Sequence, residues 1–193
     1  MSINAESIDA DAVSSYAPHA LVSPFGDPDV SVVEPSHVAE DAVSRLVVHL
    51  LDNGKWNANH LFTGIQAGLA PRVAQVSRSK KFHYSVVADG MTLGALAGSA
   101  DVVVTGVGDC GSCTSCSVHD AIEMERRGIP AVLISTTNFM AESRLQADLL
   151  GMTGLRIVEI EHPIASRSRE HMEQLGHDIA AACLDLLVAP SPR

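Results

Sequence analysis

Asp101-Val-Val-Val-Thr-Gly-Val-Gly-Asp-Cys-Gly-Ser-Cys113 holds a strand, a turn and a helix start in one short stretch. The β-branched run Asp101–Thr105 predicts a short buried strand. Gly106, Gly108 and Gly111 let the backbone turn sharply, and Val118, Ala121 and Ile122 then recur at helical spacing over about 113–127. The same alternation extends in both directions. Apolar runs at Arg45–Leu51, Val73–Val76, Ala131–Ser135 and Leu155–Ile160 interleave with candidate helices near 57–70, 87–99, 138–150 and 166–187. Such β-α alternation implies right-handed crossovers and a mainly parallel five-stranded sheet. The expected fold is a three-layer α/β/α sandwich of Rossmann-like or flavodoxin-like type.

Composition agrees with that class. The chain has 193 residues, of which 46% are hydrophobic and only 4% aromatic, which suits a helix-covered sheet better than a β-sandwich. Residues 1–40, rich in Ser, Pro, Asp and Ala without periodicity, are expected to form an irregular or disordered arm. Residues 41–193 are expected to form a single α/β domain. The net charge of −10 argues against nucleic acid or an anionic membrane as partner and leaves small molecules or proteins. The N-terminal stretch has no basic cluster followed by an apolar run, and no segment reaches about 18 uninterrupted apolar residues, so the expectation is a cytoplasmic protein with reduced thiols. A homo-oligomer stays open.

In open parallel sheets ligands bind beyond the carboxyl ends of the strands. Here those ends read Asp52-Asn-Gly-Lys55, Lys80-Lys81, Gly108-Asp-Cys-Gly-Ser-Cys113, Thr136-Thr137-Asn138 and His162-Pro163. Cys110 stands just before a helix and Cys113 in its first turn, where unpaired N–H groups and the helix dipole stabilise a thiolate. Residues so spaced also lie within the ~4.4–6.8 Å Cα separation a disulfide needs, so Cys110 can attack and Cys113 resolve. Cys183, in the apolar run 179–188, reads as helix packing.

Other readings of the same residues compete with this one. Cys110, Cys113 and Cys116 make C-x2-C-x2-C, which invites zinc or an iron–sulfur cluster with His119 or His162 as fourth ligand, but no further cysteine follows nearby. Gly106-Val-Gly-Asp-Cys-Gly111 matches G-x-G-x-x-G. The acidic residue expected about twenty positions later is replaced by Ser135-Thr-Thr137, and the motif follows the third strand rather than the first. Neither a metal nor a bound nicotinamide or flavin is therefore expected; the glycines instead free N–H groups for a substrate carboxylate or oxyanion.

Leu51-Asp-Asn-Gly-Lys55 with Asn57-Ala58, Gly108-Asp-Cys-Gly-Ser-Cys-Thr-Ser115, Ser117-Val-His-Asp-Ala121 and Glu125-Arg-Arg-Gly-Ile-Pro130 together resemble the UGSC-motif (seleno)protein family. The likeness runs from about Leu51 to the C-terminal helix. It implies that Cys110 occupies the family's selenocysteine position, with Cys113 as its partner. A more distant likeness to the selenoprotein B subunits of glycine and proline reductases suggests reductive cleavage. Cys116 departs from the family pattern, where an aromatic residue is common, and adds a second disulfide choice with Cys113.

The leading expectation is a thiol enzyme in which Cys110 attacks a small electrophilic substrate and Cys113 displaces the product reductively, with a thiol as electron source. Asp109, His119 and His162 are the candidate proton carriers. Asp52, Asn53, Lys55, Gly108, Gly111, Ser112, Thr136 and Thr137 are the candidate substrate-binding residues, with Lys80 and Lys81 on the rim. A hydrolase, lyase or dehalogenase using Cys110 without net redox is the first alternative. A thiol redox sensor or metal-binding module is the second.

Overall fold

The computed structural model describes residues 31–188. Five strands, β1 (Val47–Asp52), β2 (Gln75–Lys80), β3 (Val102–Gly108), β4 (Ala131–Thr136) and β5 (Arg156–Ile160), form one sheet in the order β2-β1-β3-β4-β5. Every pairing is parallel. Among the described residues five α-helices connect or follow them: α1 (Ala58–Leu69), α2 (Gly90–Ala97), α3 (Gly111–Arg126), α4 (Met140–Leu149) and α5 (Arg169–Asp185).

Period-two alternation along each central strand sorts the core into two layers. Val48, Leu50, Val102, Val104, Val132 and Ile134 pack on one side against α1 and α5. Leu51, Val103, Ala131 and Leu133 pack on the other against α2, α3 and α4. This is the doubly wound three-layer sandwich, with the 2-1-3-4-5 strand order of the flavodoxin-like type. The α1 and α5 backbones approach closely: a Cβ on Gly64 would lie 1.9 Å from the Glu173 carbonyl oxygen, and one on Gly176 would lie 2.0 Å from that of Leu61. Only glycine fits such a crossing.

Strand β2 differs from the expected run Val73–Val76. Val73 is buried ahead of the strand, and the strand itself is the polar Gln-Val-Ser-Arg-Ser-Lys. As an edge strand it pairs with β1 alone, and parallel backbone pairing rather than apolar side chains holds it in place.

The chain ahead of residue 41 is described only from residue 31. There the backbone is irregular and runs against the amino edge of the sheet. Val33 N–H donates to Gly151 O at 2.9 Å and Ser36 N–H to Glu125 Oε2 at 2.8 Å, while Val38 bridges Val188. The remainder of the expected arm lies outside the described residues. Among the described residues no helix is long and apolar enough to cross a membrane.

Candidate functional site

Helix α1, which follows β1, lies on one side of the sheet and α3, which follows β3, on the other. Because β1 and β3 are neighbours, their diverging connections open a crevice at the carboxyl edge. It is the topological switch point where doubly wound folds bind ligands. The loops after these two strands carry Lys55 and Asp109-Cys110.

Strand β3 is shaped to deliver that loop. Its register with β4 shifts between Gly106 and Gly108, and Gly106 has φ +150° with no room for a Cβ beside Ile134. A Cβ on Gly108 would fall 2.7 Å from Ser135 Oγ, so the backbone presses directly against β4. Asn53 braces the turn from behind. Its Nδ2 donates to Val107 O at 2.9 Å and Ser117 Oγ at 3.1 Å, and its Oδ1 accepts from Lys55 N–H at 3.1 Å.

Cys110 is the N-cap of α3, with an extended backbone, and its Sγ accepts from Cys113 N–H at 3.3 Å. Burial pushes this thiol up, but the Cys113 side chain and N–H, the Ser112 hydroxyl and the Lys55 charge together outweigh it and hold Cys110 below the ordinary thiol range. Cys113 is fully buried. Its Sγ donates to Cys110 O at 3.1 Å and accepts from Asp109 N–H at 3.2 Å. Burial first, then the neighbouring Cys110, push it up to about 12. Burial also raises Cys116 and raises Cys183 to about 12. All four thiols are free, and of them only Cys110 is held below the ordinary thiol range.

Asp109 organises the surrounding polar groups. Its buried carboxylate lies 2.9 Å from His162 Nδ1 and 3.9 Å from Lys55 Nζ, and Oδ1 accepts from Ile164 N–H at 3.3 Å. Thr136 Oγ1 donates to Gly108 O at 3.0 Å and also lies 3.1 Å from His162 Nδ1. With its hydrogen so engaged, Thr136 can only accept from the imidazole. The network therefore places the hydrogen of the neutral ring on Nδ1 and leaves Nε2 as the free base. The loop bearing His162 is tied to the β1 loop by Asn57 Nδ2, which donates to Ile164 O at 3.0 Å and Arg167 O at 2.9 Å.

The structure thus brings Lys55, Gly108, Asp109, Cys110, Gly111, Ser112, Cys113, Thr136 and His162 to one crevice, with Gly111 and Ser112 exposed and Thr137 exposed on the 3-10 turn Thr137–Phe139. It does not place Asp52 and Asn53 on a substrate rim. Both are fully buried: Asp52 holds Arg78 at 2.5 Å and Gly54 N–H at 2.8 Å. His119 is also displaced from the expected role, since nine helical positions from Cys110 put it about 13 Å along α3. Its Nδ1 is buried without a hydrogen-bond partner. Lys81, expected on the rim, is buried and paired with Asp120, whereas Lys80 is exposed. Among the described residues no group of three or more His, Cys, Asp or Glu is placed to hold a metal ion.

Two contributors escaped the sequence reading. Tyr84 places its ring 5.2 Å from Lys55 Nζ, and Ser85 Oγ lies 3.1 Å from Ser112 Oγ. The available signal was Phe82-His-Tyr84, a dense aromatic cluster in an aromatic-poor chain, directly after Lys80-Lys81.

A family model described as the UGSC family matches residues 20–189. No curated protein matches the chain. Among solved structures it is similar to a diflavin flavoprotein A3 from Nostoc sp., at 12% identity and a TM-score of 0.38, with 74% of this chain and 96% of that one covered. It is similar too to a flavodoxin-like domain of a Synechococcus sp. protein, at 14% identity and a TM-score of 0.36, covering 70% and 96%. A third is an FMN-dependent NADH-azoreductase from Bacillus anthracis str. Ames Ancestor, in complex with FMN, at 8% identity and a TM-score of 0.37, covering 74% and 99%.

Proposed function

The chain belongs to the UGSC family, and from that premise we propose that it is a thiol-dependent enzyme in which Cys110 forms a covalent bond to a small electrophilic substrate. The observation that carries the reading is the placement of Cys110. Its Sγ caps α3 at the switch point, beside Lys55 and next to the Asp109–His162 pair, with its acidity increased by those surroundings. A half-buried, low-range thiol at a helix start is the microenvironment of a reactive cysteine.

In the first step the Cys110 thiolate attacks the electrophilic carbon, an S–C bond forms, and the leaving group departs with its electron pair. His162 Nε2 supplies or accepts the proton, while Asp109 holds the Nδ1–H and stabilises the imidazolium. Gly111, Ser112 and Thr137 offer exposed polar surface to the substrate. In the reductive cycle Cys113, once deprotonated, attacks Cys110 Sγ. The S–S bond forms as the S–C bond breaks, the carbon leaves with the pair and takes a proton, and an external dithiol returns the disulfide to two thiols. Alkylation of Cys110 removes the thiolate charge that helps raise Cys113, although burial persists.

That persistent burial favours a second reading. A thiol held near 12 is a slow resolver, and water activated by His162 could release the product instead, making the protein a hydrolase, lyase or dehalogenase. The likeness to selenoprotein B subunits belongs to the reductive reading only. Intact-mass spectrometry after exposure to a library of small electrophiles separates them. Cys110→Ser is expected to form no adduct. Cys113→Ser is expected to accumulate one adduct per chain in the reductive cycle and to keep turning over without reductant in the other. A Cys110→Ser protein that turns over normally would overturn both.

A further inference from the structure

A cavity of about 310 Å³ lies beside the crevice, between the carboxyl end of β2, the loop that follows it and the start of α2. Ser85 Oγ, 3.1 Å from Ser112 Oγ, stands on that loop, and Ser112 Oγ is in turn 3.8 Å from Cys110 Sγ. The next residue, Val86, is already in the cavity wall. The loop between β2 and α2 thus joins the cavity wall to the pair of hydroxyls beside the thiol. A larger hollow of about 780 Å³, between residues 40–44 and the end of α5, lies at the amino edge with none of this chemistry near it.

Several polar side chains of the smaller cavity's wall are already engaged within the protein. Ser79 Oγ holds His49 Nε2 at 2.7 Å, and Lys81 is paired with Asp120, whose other oxygen takes Ala88 N–H at 2.7 Å. Asp89 accepts from Thr92 N–H at 2.8 Å and from Thr92 Oγ1 at 3.0 Å. Lys80 and His83 are exposed. The apolar part of the wall is Leu51 at the base, with Phe82, Val86 and Val87 exposed at 102%, 55% and 42%. Side chains this apolar and this uncovered gain free energy when an apolar group dehydrates them.

We propose that this cavity is the specificity pocket of the thiol site and that it takes an uncharged, apolar substituent of the electrophile attacked by Cys110. The inference rests on the proposed reactivity of Cys110. The charges left in the wall, Lys80 and Asp89, are opposite in sign and exposed to solvent, so they are screened and the wall offers no net charge to select a charged group, while Lys81 is paired with Asp120. The volume sits at the small end of the ~300–1,000 Å³ range of ligand pockets, so it suits one ring or a short branched chain rather than a large cofactor.

The test compares two reagents that differ only in that substituent, iodoacetamide and N-benzyl iodoacetamide. In each, the Cys110–carbon bond forms as iodide leaves. Rates at Cys110 are read by peptide mapping and normalised to the rates with glutathione. The full chain is expected to favour the benzyl reagent by about tenfold, with saturation at high reagent concentration. Val87→Trp, which fills the cavity, should bring the ratio close to one. Phe82→Ser alters a side chain that touches nothing and so leaves folding intact; it should lower the ratio about threefold. Cys110 labelled equally by both reagents would overturn the pocket while leaving the thiol reading standing. Failure of iodoacetamide itself to find Cys110 would overturn the thiol reading and the pocket with it. A wild-type dimer that Phe82→Ser converts to monomer, with no reagent preference, would assign this apolar face to a second copy and also overturn the proposal.

Discussion

Helix α3 begins and ends in a buried ionic cluster, and the two clusters behave in opposite ways. At its C-terminal end Glu125 accepts from Ser36 N–H at 2.8 Å and Ala131 N–H at 2.7 Å and is paired with Arg156, which also donates to Ser36 O at 2.5 Å. Both carboxylate oxygens are taken up by chain that must be held, so the cluster fastens residues near 36 to the amino edge. At the N-terminal end Asp109 also has both oxygens engaged. Its partners there are His162 and Lys55, side chains that keep a free imidazole nitrogen and a partly neutralised charge acting on Cys110. Burial of charge is common to both ends; what distinguishes the candidate site is that its partners retain unused chemical capacity.

The strongest way to break that contrast is at the fastening end. Glu125→Ala would leave Arg156 buried without its counter-ion, and removing one member of a buried pair costs about 3–5 kcal/mol. Urea denaturation should show a loss of that size. The pH dependence of Cys110 alkylation in the folded protein should not move, because the two clusters sit at opposite ends of the helix. A shift in that profile would mean that they are coupled and that the division between them is false.

At the other end Asp109→Asn removes the charge and keeps the shape. The imidazole then loses the carboxylate that stabilises its protonated form, and turnover of any substrate found should fall by about 100-fold or more. Lys55 simultaneously loses its neutralising partner, so its charge acts more fully on the thiol. The Cys110 pKa should therefore drop further, and simple alkylation at pH 7 should hold or quicken. Parallel loss of both rates would make Asp109 a structural residue like Glu125.

The sequence showed the outline of this division but not its detail. Val102–Val104 and Ala131–Ile134 announced central strands because β-branched and aliphatic runs have little other use. Thus the carboxyl edge and the position of Cys110 on it could be read directly. Whether Asp52 or Asn53 faces a substrate depends instead on Arg78 reaching across from β2 and on Val107 turning its carbonyl inward. Neither event leaves a local mark. His162 was found because it follows a strand end. His119 lies further along α3, because closeness in sequence to Cys110 becomes distance along a helix. Tyr84 and Ser85 lie in an irregular loop after the polar strand β2, where no periodicity points anywhere.

The smallest effect concerns Cys183, and it contrasts that thiol with Cys110 in sign. Cys183 is 0% exposed within the α1–α5 core layer, and burial raises it to about 12 in the folded chain, against about 8.5 when unfolded. Below about pH 8.5 the thiol is neutral in both states and costs nothing. Above that, the unfolded chain ionises first, so stability falls with rising pH until the folded thiol titrates as well. At pH 10 the difference from this one group amounts to about 2 kcal/mol, at 1.36 kcal/mol per pH unit. Cys183→Ala should remove that slope between pH 8.5 and 10, at the cost of a constant loss of packing, and urea midpoints measured across this range would show it. Cys110 acts the other way. Its lowered pKa contributes stability that grows as pH rises through the folded value and is complete above about 8.5. Cys110→Ser, which keeps a good N-cap residue, should therefore reduce stability near pH 8.5 relative to pH 6 and leave the Cys183 share of the alkaline slope in place. If Cys110→Ser instead flattened the alkaline limb and Cys183→Ala did not, the assignment of the reactive and the inert thiol would have to be exchanged.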